Sequence, residues 1–199
     1  MTQLPDGQPG PPILPTPRLR LRPFTPDDWR DAAVFYTDPE VCRYLYMTAD
    51  PDGAAVRARL ARFADAYRKG GFTLWAAERL GDGRVIGAVV LNPAAEEGEK
   101  QVSAGYCFAR DCWGSGYATE ALGAALAYAF ETMGVRRVTA RRFAENAASA
   151  RVLGKAGFRC ESQEEPTAGE GRGRSLYQYA LTRDEWTRRE GEGLDASSG

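Results

Sequence analysis

Two glycines and a serine stand directly before a segment with a helical apolar pattern. They are Gly114, Ser115 and Gly116, within CWGSGYATEALGAALAYAF at 112–130. Unpaired backbone N–H groups and the positive end of the helix dipole meet where a helix begins. Because glycine has no side chain, an anion can approach those donors closely. The stretch therefore predicts a phosphate-binding loop at the turn into a helix.

Two common phosphate-binding motifs do not fit this loop. A dinucleotide-binding fold needs G-x-G-x-x-G, but the third glycine position holds Thr119. It also needs an acid about twenty residues further on, where this chain has Arg136 and Arg137. A P-loop needs a lysine after its second glycine, and that position holds Tyr117. A turn that requires glycine only for its backbone conformation remains an alternative.

The apolar positions after this loop follow the period of an α-helix. They are Ala118, Ala121, Leu122, Ala125, Leu126, Ala129, Phe130 and Met133. Such spacing places the apolar side chains on one helix face. Gly134 then stands where the helix is expected to end.

Composition excludes several classes of protein. The 199 residues include 27 acids, 26 bases and no histidine, so no strongly basic surface indicates nucleic-acid binding. No apolar run is long enough to span a membrane, and no secretory signal opens the chain. The four cysteines lack metal-ligand spacing, which favours reduced thiols in a cytoplasmic protein without a metal site.

Strand and helix patterns alternate over most of the chain. Strands are predicted at 18–24, 72–80, 84–92, 101–109 and 136–143, with two more near the end, one of them SLYQYAL. Asp or Thr followed by proline predicts three helix starts, at Thr25, Asp38 and Asp50. A further helix is predicted at 148–157. The pattern is that of a single α/β domain at 18–190, with a flexible segment at 1–17 and a disordered tail at 191–199.

The loop and its surroundings resemble the GNAT superfamily of acyl-CoA N-acyltransferases. That family's pyrophosphate loop reads Q/R-x-x-G-x-G/A, and here Trp113, Gly116 and Ala118 occupy the first, fourth and sixth positions. The sequence of the loop is similar to that of the branch containing ribosomal-protein N-terminal acetyltransferases. Further similar segments occur in order from Arg18 to Trp186, namely RLRLRPFTPDDW, TDPEVCRYL, VIGAVVL, AGYCFARDCWGSGYATEA, ENAASARVLGKAGF and YALTRDEW.

The resemblance implies a fold and a cofactor site. The fold is a mixed, mostly antiparallel sheet with helices on both faces, splayed at the fourth strand, which is 101–109 here. The pantetheine arm of acetyl-CoA would lie in the splay, against the backbone of Cys107, Phe108 and Ala109. The pyrophosphate would bind the loop from Trp113, with donors at Gly114, Ser115, Gly116, Tyr117, Ala118 and Thr119.

The resemblance also implies residues for catalysis and for the amine acceptor. Asn146 would lie along the cofactor, and Ser149 would stand near the acyl sulfur as the catalytic acid. Each has a structural alternative, because Asn146 is a good N-cap and Ser149 follows it in the first helical turn. Candidate acceptor contacts are Tyr44, Tyr46, Met47, Ser103 and Tyr106.

Two questions about the acceptor side stay open in the sequence. Seven acids between Phe24 and Gly53 either attract an amine or stabilise helix starts, and capping explains most of them better. In the ribosomal-protein branch a glutamate two residues before the GY pair often acts as general base, and that position is Ser103 here. Glu99 and Glu145 are other candidates for the base, and a water chain or no base at all are the alternatives.

The function expected from these observations is N-acetylation of a primary amine, on a protein N-terminus or a small molecule, by direct attack in a ternary complex. The expected partners are acetyl-CoA and the amine, with no nucleic acid or membrane, in a monomer or homodimer. A non-catalytic acyl-CoA sensor or scaffold is the alternative from another class.

Overall fold

A computed structural model describes residues 2–3, 9–45, 48–69, 73–93, 100–164 and 174–195. The main strands are β1 Leu19–Arg22, β2 Thr73–Arg79, β3 Val85–Pro93, β4 Gln101–Phe108, β5 Arg137–Phe143, β6 Arg159–Glu164 and β7 Leu176–Thr182. The α-helices are α1 Trp29–Tyr36, α2 Pro39–Cys42, α3 Gly53–Lys69, α4 Tyr117–Ala127, α5 Ala147–Lys155 and α6 Arg183–Asp195. A two-residue strand, Leu14–Pro15, adds an eighth strand to the same sheet. The predicted mixed α/β fold is confirmed.

The chain divides into two compact units. The first comprises Met1–Pro93 with Ala104–Ala125, and the second comprises Ala94–Ser103 with Leu126–Gly199. In the first unit, β1, β2 and β3 pair antiparallel in sequence order, and β4 follows β3 in the order of the sheet. In the second unit, β7 pairs antiparallel with both β5 and β6.

Strand β4 contributes the parallel pairing of an otherwise mostly antiparallel sheet. Its first three residues, Gln101, Val102 and Ser103, pair in parallel with Arg137, Val138 and Thr139 of β5. Beyond these three positions β4 continues to Phe108. The splay expected at the fourth strand stays a prediction.

Each of the two units buries apolar side chains of its own. The largest fully buried ones are Trp75, Phe35, Phe130, Phe143, Leu19, Leu21, Ile86, Leu91, Leu122, Leu126, Leu153 and Leu181. In β1 the two leucines are buried and Arg20 is exposed, as the alternation predicts, whereas Arg22 is half-buried. Arg22 contacts two buried acids, because its guanidinium donates to Asp28 at 2.7 Å and also to Glu78.

Most acids near the amino terminus have structural partners. The Asp38 carboxylate accepts from the Glu40 N–H at 2.8 Å, which confirms Asp38 as the N-cap of α2. The predicted start of α3 at Asp50 is wrong by two residues, because Asp52 accepts from the Ala55 N–H at 2.9 Å. Asp50 instead binds Arg59 through two hydrogen bonds. These contacts support the capping interpretation over a negative wall for the acceptor.

Helix α4 does not keep one geometry to its end. From Tyr128 to Thr132 it continues as a π-helix, and the Met133 N–H donates to the Tyr128 carbonyl at 3.0 Å. Gly134 follows with φ of 67°, so the predicted helix end at this glycine is confirmed. Glycine adopts the left-handed conformation more readily than other residues and commonly ends a helix in this way.

The chain is also structured outside the predicted elements. The indole of Trp75 donates to the Pro12 carbonyl at 2.7 Å, and Leu14 pairs with Leu21. At the other end α6, which the sequence analysis did not predict, runs to Asp195. The division into a flexible segment, one domain and a tail stays a prediction. Among the described helices, none combines the length and apolar character needed to cross a membrane.

Candidate functional site

The predicted phosphate loop has the backbone geometry that an anion site requires. Gly114 and Gly116 both lie in the left-handed region, with φ of 76° and 82°. The first hydrogen bond of α4 runs from the Glu120 N–H to the Gly116 carbonyl at 3.1 Å. The amides of the turn before Glu120 therefore have no acceptor within the helix. The loop can present several N–H groups and a helix dipole to one anion.

Trp113 fixes the start of the loop against the end of β4. Its indole N–H donates to the Phe108 carbonyl at 2.8 Å, and its backbone N–H donates to the Arg110 carbonyl at 3.2 Å. The rest of the side chain is 45% exposed. Trp113 thus stands where the family pattern has glutamine or arginine, and it holds the loop by a bond from its side chain.

Arg18 and Glu120 tie strand β1 to the same loop. The Arg18 Nε donates to Glu120 Oε2 at 2.6 Å, and its Nη1 donates to the Ser115 carbonyl at 2.9 Å. Glu120 Oε1 also accepts from the Thr16 hydroxyl at 2.6 Å and from the Arg18 backbone N–H at 2.8 Å. Burial opposes ionisation of Glu120, but these hydrogen bonds outweigh it and lower the pKa of the carboxyl below its ordinary value.

Arg18 and Glu120 are not among the site residues that the sequence predicts. The alternating RLRLR pattern puts Arg18 on the polar face of a strand, and Glu120 lies in the first turn of a helix. Both features have ordinary explanations in sequence, and the two residues are 102 positions apart. No local pattern could have paired them.

The end of β4 packs tightly against β3. A Cβ placed on Gly87 of β3 would lie 2.6 Å from Phe108 Cδ1 and inside 3.0 Å of the Cys107 carbonyl oxygen. The Ala109 N–H donates to the Ile86 carbonyl at 2.8 Å. Burial raises the pKa of the Cys107 thiol to about 12, with a contribution from nearby Cys42, so this thiol is neutral at ordinary pH.

Charged pairs surround the loop on the first unit. Arg84 donates to Asp111 at 2.8 Å, and Arg110 lies 3.3 Å from Asp38. The Arg18 guanidinium carbon lies 4.5 Å from the centre of the Tyr117 ring. Each of these three arginines is paired with a carboxylate.

The predicted acceptor residues fall in several places. Tyr44 is half-buried after α2, with the Arg43 guanidinium over its ring at 5.4 Å. Tyr106 is half-buried on β4. Tyr46 and Met47 lie outside the described residues. Nearby in the first unit, Arg59 lies over the Tyr36 ring at 4.9 Å while bound to Asp50. Burial raises the pKa of Tyr36 well above its ordinary value, so this phenol stays protonated.

The second unit carries the predicted catalytic segment. The Asn146 side chain accepts from the Ser149 backbone N–H at 3.0 Å, which confirms Asn146 as the N-cap of α5. Ser149 is half-buried in the first turn of that helix. Glu145, a candidate base, accepts from Arg174 Nε at 2.6 Å. Ser103 is half-buried on β4, and Glu99 lies outside the described residues.

The structure thus brings together the cofactor candidates of the first unit. Phe108 contacts Trp113 directly, and Gly114 to Thr119 follow as one turn and a helix start. Asn146 and Ser149 form their own local arrangement at the start of α5. Over the described ranges, no cluster of three or more His, Cys, Asp or Glu side chains is arranged to hold a metal ion.

Comparison with known proteins identifies the family. A family model described as an acetyltransferase (GNAT) domain matches residues 18–159. The Bacillus subtilis protein called uncharacterized N-acetyltransferase YoaA is 29% identical over 150 residues, which cover 75% of this chain and 84% of that protein.

Solved structures share the fold. A GNAT-family acetyltransferase from Bacillus anthracis superposes with a TM-score of 0.76 at 25% identity, covering 87% of this chain and 99% of that one. Mycobacterium smegmatis RimJ, solved in complex with CoA-disulfide, has a TM-score of 0.75 at 22% identity, covering 88% and 89%. The chain belongs to the GNAT acetyltransferase family and is an acyl-CoA-dependent acyltransferase.

Proposed function

We propose that this protein transfers an acetyl group from acetyl-CoA to a primary amine, either the α-amine of a protein N-terminus or an amine of a small molecule. The observation that carries the proposal is the loop at 113–119, where two left-handed glycines open α4. Such a turn can bind the pyrophosphate of CoA through backbone N–H groups. The loop belongs to the segment that the acetyltransferase family model matches.

Transfer in a ternary complex requires formation of a C–N bond, cleavage of the C–S bond and two proton transfers. The neutral amine attacks the acyl carbon, a C–N bond forms, and the C–S bond breaks to release CoA. The departing thiolate takes up a proton from the Ser149 hydroxyl, which we assign to this role and which regains a proton from solvent as CoA leaves. The amine loses a proton, either to a carboxylate or to water. Pantetheine would lie along Cys107, Phe108 and Ala109, and Asn146 would lie beside the cofactor.

Replacing Gly116 with valine should weaken CoA binding by tenfold or more, which corresponds to about 1.4 kcal/mol. A β-branched residue is strained at a φ of 82°, and its Cβ would lie 3.4 Å from Arg18 Nη2. Calorimetric titration with CoA measures the effect. The control is Gly123→Ala, on the exposed part of α4, where a Cβ meets nothing within 4 Å. Equal affinity for folded Gly116→Val and wild type would mean that the loop is only a turn.

Replacing Ser149 with alanine should lower the turnover number and leave acetyl-CoA affinity largely intact. A group that protonates the departing thiolate acts in the transition state rather than in binding. Single-turnover kinetics isolates the chemical step. Ser162→Ala, an exposed serine on β6, is the matched control. An unchanged rate of the chemical step in Ser149→Ala would remove Ser149 from the mechanism.

The alternative expected from the serine at position 103, a protein that binds acyl-CoA without catalysis, is opposed by membership of the acetyltransferase family. Release of free CoA from acetyl-CoA in the presence of a panel of amines separates the two. The panel should include N-terminal peptides, polyamines, aminoglycosides and amino acids. Mass spectrometry of the product then identifies the acceptor class. Tight CoA binding without turnover on any amine would favour the sensor.

A further inference from the structure

We propose that Arg18 is a positioning residue for the phosphate loop, because it holds the Ser115–Gly116 peptide with its N–H directed toward the bound pyrophosphate. The inference rests on the proposed function, since it concerns how the same loop is prepared for CoA. Arg18 lies on the chain just before β1, far in sequence from the loop that it contacts.

Three contacts place the guanidinium against consecutive parts of the loop. Nη1 donates to the Ser115 carbonyl at 2.9 Å, Nε donates to Glu120 at 2.6 Å, and the group lies over the Tyr117 ring at 4.5 Å. The planar fork of arginine allows two nitrogens to bind two fixed acceptors at once. Arg18 therefore fixes the loop relative to the first turn of α4.

Because the peptide bond is planar, the contact with Arg18 also fixes the direction of the Gly116 N–H. The Ser115 carbonyl and the Gly116 N–H belong to one trans peptide plane and point in opposite directions. When Arg18 holds the carbonyl on its own side, the N–H must point to the other side. Glycine at a left-handed position is otherwise free to let this peptide rotate. A rotated peptide would present its carbonyl oxygen to the phosphate and repel it.

Charge gives Arg18 a second effect on the same site. Glu120 places a carboxylate in the first turn of α4, beside amides that would bind a polyphosphate. The Glu120 side chain is 14% exposed, and Arg18 is the cation bound to it. Thr16 and the Arg18 backbone N–H complete its hydrogen bonds. Removing the guanidinium would leave an uncompensated negative charge next to the pyrophosphate.

The test compares four variants by calorimetric titration with CoA and 3′-dephospho-CoA, and by NMR titration with pantetheine. We expect Arg18→Ala to weaken binding of CoA and 3′-dephospho-CoA equally, by tenfold or more, without changing pantetheine binding. Arg18→Lys should recover only part of the loss, because an ammonium lacks the fork. The double variant Arg18→Ala/Glu120→Gln should bind CoA more tightly than Arg18→Ala alone.

The matched control is Arg20→Ala, which removes the next outward arginine of β1. Arg20 is exposed to a similar extent and is also bound to a carboxylate, that of Glu78. The Arg20→Ala variant should bind CoA with the same affinity as the wild type. A purely structural role for Arg18 would weaken pantetheine as well, and would make the double variant no better than the single one. Either result overturns the inference.

The outcomes also separate this inference from the proposed function. If the wild-type protein binds neither CoA nor pantetheine, the proposed function and the inference about Arg18 are both wrong. If wild type binds CoA and Arg18→Ala binds it equally well, only the inference about Arg18 fails. If Arg18→Ala does not fold, Arg18→Lys decides, since wild-type affinity in that variant shows that the fork is not needed.

Discussion

A peptide with a free α-amine and no lysine should be acetylated up to about 300-fold faster at pH 7.4 than an N-blocked peptide with one lysine. A lysine amine has a reference pKa near 10.4, so about one in a thousand is neutral at this pH, which costs roughly 4 kcal/mol. An α-amine has a reference pKa near 7.8, so forming its neutral state at pH 7.4 costs only about 0.7 kcal/mol. The greater nucleophilicity of neutral lysine recovers part of the difference.

The prediction follows from the acids that could deprotonate the amine. Position 103 holds a serine instead of the glutamate that the related branch often uses. Glu145 accepts a hydrogen bond from Arg174, so its carboxylate already has a cationic partner. Without an enzymatic base, only the amine molecules that are already neutral can react. The acceptor that works best is then one of low pKa.

A third peptide separates basicity from recognition of a chain terminus. It is N-blocked and carries diaminopropionic acid, whose side-chain amine is less basic than that of lysine. We expect it to react nearly as fast as the free α-amine, and kcat/KM should rise with pH along the titration of each acceptor amine. Faster acetylation of the blocked lysine peptide at neutral pH would contradict the prediction and indicate an enzymatic base.

Replacing Gly87 with alanine should lower the free energy of unfolding by about 1–3 kcal/mol, as overpacked substitutions typically do. The new Cβ would overlap the Cys107 carbonyl and the Phe108 ring, both held by neighbouring strand backbone. Because these residues belong to the proposed pantetheine segment, the folded fraction should also bind CoA more weakly. Denaturant unfolding and CoA titration measure the two effects.

Gly81→Ala is the control for this change. Gly81 lies in the turn between β2 and β3, and a Cβ there meets nothing within 4 Å. It should unfold within about 0.5 kcal/mol of the wild type, as exposed substitutions usually do. If Gly87→Ala were as stable as Gly81→Ala, the end of β4 would be able to shift without cost.

Local patterns in the sequence predicted the elements that depend on neighbours along the chain. The alternation in RLRLR gave the faces of β1, and Asp38 and Asn146 were recognisable as N-caps. The glycines before α4 were identified from spacing alone, and their left-handed conformation agrees. Each of these features is decided by residues within a few positions of one another.

Other features depend on partners that sequence does not bring together. The Arg18–Glu120 contact joins residues 102 positions apart. Asp50 was mistaken for a cap because its partner, Arg59, is on the next helix, whereas Asp52 caps that helix.

Helix α6 was missed for a different reason. Its residues are mainly polar and show little apolar period, although Thr182 and Glu185 form the reciprocal bonds of a capping box. Trp186 packs on Phe130 with ring centres 5.4 Å apart, and this contact cannot be seen locally.

The π-helical turn at Tyr128–Thr132 affects which side chains of this segment face the buried side. Buried residues along it recur every four positions, at Ala121, Ala125 and Ala129. An α-helix has 3.6 residues per turn, so a strict repeat of four drifts by about 40° each turn. A π-helical turn contains more residues than an α-helical turn, so it compensates for this angular drift and realigns the buried side chains. Deleting one residue there should convert the wide turn into an ordinary α-helical turn, so that the residues up to Gly134 would keep nearly the same orientation relative to α4.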